Sequence, residues 1–174
     1  IEQKNTVYIK ANTVFLPVGM LNAALEMQIS DKMTLQPEVF ISPWKSFRGK
    51  HAQIYMGILD GRYYFNSAFN KWYAGINIGG AVFDIQKWNY SGSHRFQRGY
   101  TFLAGATVGY QLNLSEKWNL DFYLGGGTSQ AFYHGYDESD PDSPFVYYKD
   151  TRKWNRSGEF IPYRGGVMIS YKLR

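Results

Sequence analysis

Few residues in this sequence are equipped for covalent or metal chemistry. There are three histidines, His51, His94 and His134, and no cysteine. Nucleophilic catalysis needs a nucleophile with a base in hydrogen-bond reach and usually a third group to orient the base. All three histidines fall in or beside segments that read as long loops. His94 follows Ser93, but neighbours on an extended chain point to opposite faces. His134 has Ser129 and Glu138 near it in sequence, with no spacing that brings the three together. Without cysteine there is neither a disulfide scaffold nor a thiolate metal site. Asp137, Glu138, Asp140 and Asp142 offer oxygen ligands at short spacing, yet no glycine-containing calcium loop accompanies them and Pro141 and Pro144 interrupt the run. A solvated acidic loop is the expectation, with no cofactor, no metal and no catalytic residue.

A second set of polar residues is distributed differently. Lys10, Glu26, Glu38, Asp60, Arg62, Asp121, Arg164 and Lys172 each stand opposite apolar positions in segments of alternating character. Asn12, Gln28, Gln36, Asn77, Gln111 and Asn119 share that face. Four acids and four bases on one face would form a paired charge network if that face were enclosed, because each buried charge must be paired or hydrogen-bonded. Gly75, Gly79, Gly105, Gly109, Gly125 and Gly127 lie on the same face and would leave room for long side chains.

The alternation that places them is a period of two. Val167, Ile169, Tyr171 and Leu173 alternate with Met168, Ser170, Lys172 and Arg174. Phe102, Ala104, Ala106, Val108, Tyr110, Leu112 and Leu114 alternate with Thr101, Gly105, Thr107, Gly109, Gln111 and Asn113. Eight such segments are expected: Thr6 to Phe15, Leu21 to Ser30, Met33 to Ser42, Gln53 to Phe65, Trp72 to Ile85, a strand from Tyr100, Trp118 to Phe132, and Phe160 to Leu173. Their length suits tilted membrane-spanning strands of about 9 to 11 residues. Short polar turns, Ser30-Asp31-Lys32-Met33, Phe69-Asn70-Lys71-Trp72 and Ser115-Glu116-Lys117-Trp118, alternate with longer connections around 44–50, 87–98 and 136–158. Short turns on one side and long loops on the other are the asymmetry of an outer-membrane barrel. The Leu16 to Met20 connection is the exception, being brief on the loop side.

The totals agree. The 174 residues suffice for one domain, here 1–174. Aromatics make up 18%, with 15 Tyr, 12 Phe and 5 Trp beside 18 Gly, which favours strands and turns. Mean hydropathy is −0.40 and no run approaches a membrane helix, but barrels escape that test because their strands average apolar and polar faces. The net charge of +5 is scattered, which suits phosphate-bearing lipid and argues against nucleic acid. The chain opens at Ile1 without a charged and apolar leader, as expected of an exported protein after processing.

Alternation alone does not decide which face is enclosed, since a soluble barrel would bury the apolar face and solvate the charges. The spread of matched charges favours the inverted arrangement. Trp72 and Trp118 begin strands after short turns, Tyr171 sits near the chain end, and Trp44 and Trp88 fall where strands meet long loops, so two interfacial girdles are expected. The fold class is therefore all-β, an eight-stranded antiparallel up-and-down transmembrane β-barrel with both termini in the periplasm. Its interior is expected to be filled by side chains, which disfavours a pore.

Short motifs carry a resemblance to a family. Lys117-Trp118-Asn119-Leu120, Asp60-Gly61-Arg62-Tyr63-Tyr64 and the run Gly165 to Tyr171 resemble the Bacteroidetes outer-membrane barrel family catalogued as domain of unknown function 3575. Lys4-Asn5-Thr6 and Leu16-Pro17-Val18-Gly19 fit more loosely. The resemblance covers nearly the whole chain. It implies an eight-stranded barrel of outer-membrane protein A type, often encoded beside larger surface machinery and without established catalysis. One departure is the ending Leu173-Arg174, where such barrels commonly end in an aromatic. The expected role is a non-enzymatic structural or accessory subunit that anchors or braces an assembly, with a lipid-modifying enzyme or narrow pore as the alternative. Expected neighbours are outer-membrane lipid, lipopolysaccharide and other surface-assembly proteins. Tyr136, Phe145, Tyr147, Tyr148 and Trp154, interleaved with charges, make the longest loop the candidate partner-binding segment.

Overall fold

The computed structural model describes residues 6–47, 50–86, 94–137, 146–147 and 155–174. The strands are β1 (Val7–Asn12), β2 (Leu21–Gln28), β3 (Met33–Phe47), β4 (Lys50–Tyr64), β5 (Lys71–Ile85), β6 (Arg95–Asn113), β7 (Trp118–Asp137), β8 (Val146–Tyr147) and β9 (Asn155–Lys172). From β1 to β7 each pairs antiparallel with the next, β7 then pairs with β9, and β9 with β1. Eight strands thus close into a ring, and β8 adds two residues to the end of β7. Closure leaves no long unpaired edge along the ring. The starts of β1 and the end of β9 meet at the short-turn side, where Leu173 N–H donates to the Val7 carbonyl at 2.8 Å.

The short turns owe their geometry to hydroxyls and to two left-handed residues. Ser30 Oγ accepts from Met33 N–H at 3.2 Å, and Ser115 Oγ accepts from Trp118 N–H at 3.2 Å, a local bond that favours turning over continuing the strand. In the third turn, Phe69 and Lys71 both take φ of +62°. That backbone swings the Phe69 ring inward, where it is buried against Tyr8 at 4.7 Å between centroids. Phe69 closes the turn end of the ring.

The strands on the loop side run further than the alternation indicated. β6, β7 and β9 have 19, 20 and 18 residues, while β1 has 6. Apolar-to-polar alternation weakens near 95–99 and 133–137, but ladder pairing continues, with Arg95 opposite Asp137. The wall is tall along β6, β7 and β9 and low along β1 and β2, whose connection is one 3-10 turn at Leu16–Val18. Trp44 lies over that turn: its Nε1 donates to the Val18 carbonyl at 3.1 Å and its ring occupies the space a Cβ at Gly19 would need. Gly19, at φ +72°, is suited to both demands.

One irregularity decides the interior. Gly125 pairs with Arg164 but Gly126 pairs with Pro162, leaving Tyr163 as an extra residue on β9. Such a bulge reverses which residues face inward. Below it Arg164, Met168 and Ser170 are buried, while above it Phe160 is exposed and Ile161 turns in.

Candidate functional site

The interior is built from the polar half of each alternating pair. Lys10, Glu26, Asp60, Arg62 and Asp121 are at most 1% exposed, and Glu38 and Arg164 are nearly as deep. These seven of the eight expected charges meet at the ring's centre. Lys10 Nζ donates to Asp121 at 2.8 Å and also pairs with Glu26. Arg62 donates through Nε to Asp60 and through Nη1 to Asp121, each at 2.8 Å, with Glu26 at 3.4 Å. Arg164 pairs with Glu38 and, at 2.7 Å, with Asp60. Each cation therefore bridges at least two carboxylates from different strands.

Lys172 does not join them. It is half-buried at the turn end, opposite Tyr8, so the central group has four acids and three bases rather than the matched set expected. Neutral donors compensate for the missing cation. Glu26 accepts from Thr34 and Tyr64 hydroxyls at 2.6 Å and from Gln111 at 2.8 Å. Asp121 accepts from Tyr73 at 2.8 Å, and Glu38 from Asn22 at 2.9 Å. The tyrosines were not distinguishable in the sequence, because Tyr63 and Tyr64 are adjacent and only the pleat decides that Tyr63 faces out while Tyr64 is fully buried.

Glycines make this packing possible. A Cβ at Gly109 would strike the Tyr73 ring, and one at Gly125 would lie 2.8 Å from Arg164 Cγ. On the neighbouring strands β4 and β5 the Arg62 guanidinium lies 4.5 Å from the Tyr73 ring centre, a favourable cation–π position. Gly166, at φ +138°, leaves space for the Asn12 amide, which donates to Asn22 at 2.9 Å. Among the described residues, buried side-chain atoms such as Asp60 Oδ1, Arg62 Nη2 and Arg164 Nε have no hydrogen-bond partner.

The loop-side interior differs. Above Arg164 and Glu38 lies a cavity of 320 Å³ lined by Phe40, Ile54, Met56, Phe83, Leu103 and Ile161, with Thr101, Ser129 and Gln97 among them. Every lining strand contributes its inward-facing parity. Side chains were expected to fill the ring throughout, and here they do not: the inward positions on either side of Thr101 are only Ala81 and Ala131.

Three of the expected interface aromatics lie on the outer face. Trp72, Trp118 and Tyr171 sit around the turn end, with Trp118 stacked near Tyr171 at 4.8 Å and Trp72 against Tyr110 at 5.1 Å. Tyr136 belongs to β7, not to a loop, and stacks on Phe96 at 5.2 Å. Phe96 in turn stacks on His51 at 4.1 Å, and His51 Nδ1 is 2.8 Å from Asp84, which also binds Arg98. Trp88, Phe145, Tyr148 and Trp154 lie outside the described residues, as do Glu138, Asp140 and Asp142, and Tyr147 is described only as part of β8. His134 and Ser129 fall on opposite faces of β7, and Ser129 is bonded instead to Thr101 at 2.7 Å. Among the described residues no group of three or more His, Asp or Glu could hold a metal ion.

A family model described as a protein of unknown function, DUF3575, matches residues 1–171. No curated protein and no solved structure matches the chain.

Proposed function

The chain belongs to the DUF3575 family, and we propose that it is a non-enzymatic β-barrel of a bacterial outer membrane that anchors or braces a larger surface assembly. The observation that carries this is the inverted polarity of the ring. Ile76 is 78% exposed, Phe160 85% and Leu124 61%, whereas Arg62, Lys10 and Asp121 are at most 1% exposed. In water that arrangement forfeits burial of the apolar face at ~25 cal/mol per Å² and strands charges in the interior. In lipid the apolar face is solvated, and the paired charges are kept away from hydrocarbon, where they would cost more.

The outer face also changes character along the ring. On β5 the outward residues from Trp72 to Val82 are apolar or small, and Asp84 follows; on β6 the run from Tyr110 to Tyr100 gives way to Arg98. Residues 72–82 match the ~9–11 that a tilted strand needs to cross hydrocarbon. Aromatics mark the turn-side limit and the His51, Asp84, Arg98 group follows the other. On this reading the termini and short turns are periplasmic, and lipopolysaccharide surrounds the loop side. The filled charged core supports a plugged barrel over a pore.

Heat modifiability tests the barrel. Folded in detergent, the chain is expected to migrate differently on a gel before and after boiling, because a closed ring offers no edge from which unfolding starts. One migration position under both conditions would defeat the reading. For the anchoring role, native protein taken from membranes in mild detergent is expected to bring surface-assembly proteins with it.

A further inference from the structure

We infer that the loop-side interior of the ring is a binding site for one linear alkyl chain of medium length, the tail of a fatty acid or of a single-chain lipid. Three observations converge on that ligand class. The first is shape. An eight-stranded ring is only as wide as its own side chains, yet along β6 the lining runs from Gln97 to Leu103, roughly 20 Å at ~3.3 Å per residue before tilt. A space of 320 Å³ spread along such a length is narrow. Spread over that length, it suits an extended chain better than a fused-ring sterol.

The second is chemistry. Ile54, Met56, Phe83, Ala131 and Ile161 point into the ring from four strands but remain only half-buried, because no described side chain fills the space between them. Ile58, one inward position below Met56, is 5% exposed. Apolar cavities hold water poorly and take apolar ligands. The Thr101 and Ser129 hydroxyls satisfy one another at 2.7 Å, so they ask little of a ligand.

The third is the floor. Arg164 is held between Glu38 and Asp60, so an anionic headgroup finds no unmatched cation there. The head is therefore placed at the opposite rim, where Tyr133 and Ser157 line the opening and the Glu159 carboxylate favours a zwitterionic head over a bare carboxylate, and the tail runs inward. This inference stands on the interior geometry and not on where the ring resides, so it and the membrane reading fail separately.

The test uses the full chain folded in phospholipid nanodiscs, titrated with dodecanoic acid carrying a nitroxide near its methyl end. A lysophospholipid with the same labelled tail forms the second arm. Saturable broadening of the Ile54, Met56 and Leu103 methyl signals is expected. Binding of both probes assigns the site to lipid tails, and binding of the acid alone assigns it to free chains. Ala131→Phe, which fills the cavity, is expected to raise the half-saturating concentration about tenfold or more, one factor of ten being the smallest loss worth assigning. Broadening of the outward Ile76 and Ile78 methyls by probe dissolved in the bilayer should not change. If that variant does not fold, Ala81→Leu serves in its place. Inner methyls that never broaden, that broaden equally with a labelled sterol, or that ignore a folded cavity-filling variant would overturn the inference. A chain that stays in buffer and never enters the discs defeats the membrane reading instead, and the same titration is then run without lipid.

Discussion

The two halves of the ring's interior are made by the same strands and have opposite contents. Toward the short turns, Arg62, Tyr64, Tyr73, Lys10 and Gln111 are among the largest fully buried side chains, and they fill the space between Phe69 and Arg164. Toward the long loops, Ile54, Met56, Phe83 and Leu103 line a space that Ala81 and Ala131 leave open. The turn side is rigid and specific, because three cations and four carboxylates from six strands must all find their partners at once. Such a network fixes register as much as it stabilises, since removing one partner strands another charge. The loop side carries no such constraint and is free to hold something else. On the function and binding site proposed above, the rigid half supports and the open half is available to a ligand.

Breaking the network gives the largest expected effect. Arg62→Ala leaves Asp60, Asp121 and Glu26 short of a shared cation, at a cost of about 3–5 kcal/mol if the site stays dry. Arg98→Ala removes a cation whose side chain is 48% exposed and paired with Asp84, so it should cost less than ~1 kcal/mol. Urea unfolding of both variants in bilayers measures the contrast, and equal midpoints would refute a central role for Arg62.

Adding volume sharpens the same comparison at smaller scale. A methyl at Gly109 would strike the Tyr73 ring and the Phe122 carbonyl, so Gly109→Ala is expected to cost ~1–3 kcal/mol. Ala131→Leu, in contrast, projects into the 320 Å³ cavity and should change stability by less than ~1 kcal/mol in either direction. If both substitutions destabilise alike, the loop side is filled in solution.

The smallest effect on the ring is expected from the longest connection. Residues 138–154 are replaced by a short Gly/Ser turn, leaving β7 and β9 intact, including Tyr136 and the start of β9 at Asn155. Heat modifiability should persist while partner association falls, because loops on a rigid scaffold commonly carry binding. A shortened chain that still co-purifies with every native partner moves the contacts to the outer face, where His51, Phe96 and Tyr136 stack.

Much of this was legible in the residues. A period of two tells which side chains share a face, so the positions of Lys10, Glu26, Glu38, Asp60, Arg62, Asp121 and Arg164 could be grouped without coordinates. The even strand count and the repeated Lys-closed turns gave the order of the ring. Other features were not legible, for reasons that are local to them. Lys172 has the right parity but stands too near the turn end to reach the centre. Tyr136 sits among loop-like residues, yet ladder pairing extends to it because partner backbone, not side-chain pattern, holds a strand's end. Phe69 reads as a turn residue, and only its left-handed backbone sends the ring inside.

What the sequence determined by itself is therefore parity: one apolar and one more polar face on each strand, repeated until the sheet could close. What the tertiary structure decided is everything that depends on height along the axis and on breaks in the period. Neutral tyrosine and glutamine donors meet Glu26 because closure brings β3, β4 and β6 to one level. The bulge at Tyr163 turns two successive residues inward, placing Tyr163 against Asn77 and Arg164 against Glu38. Above it the inward parity is reversed, and Ile161 lines a cavity instead of facing out. A bulge is a property of how two strands pair, and no pattern within either strand alone records it.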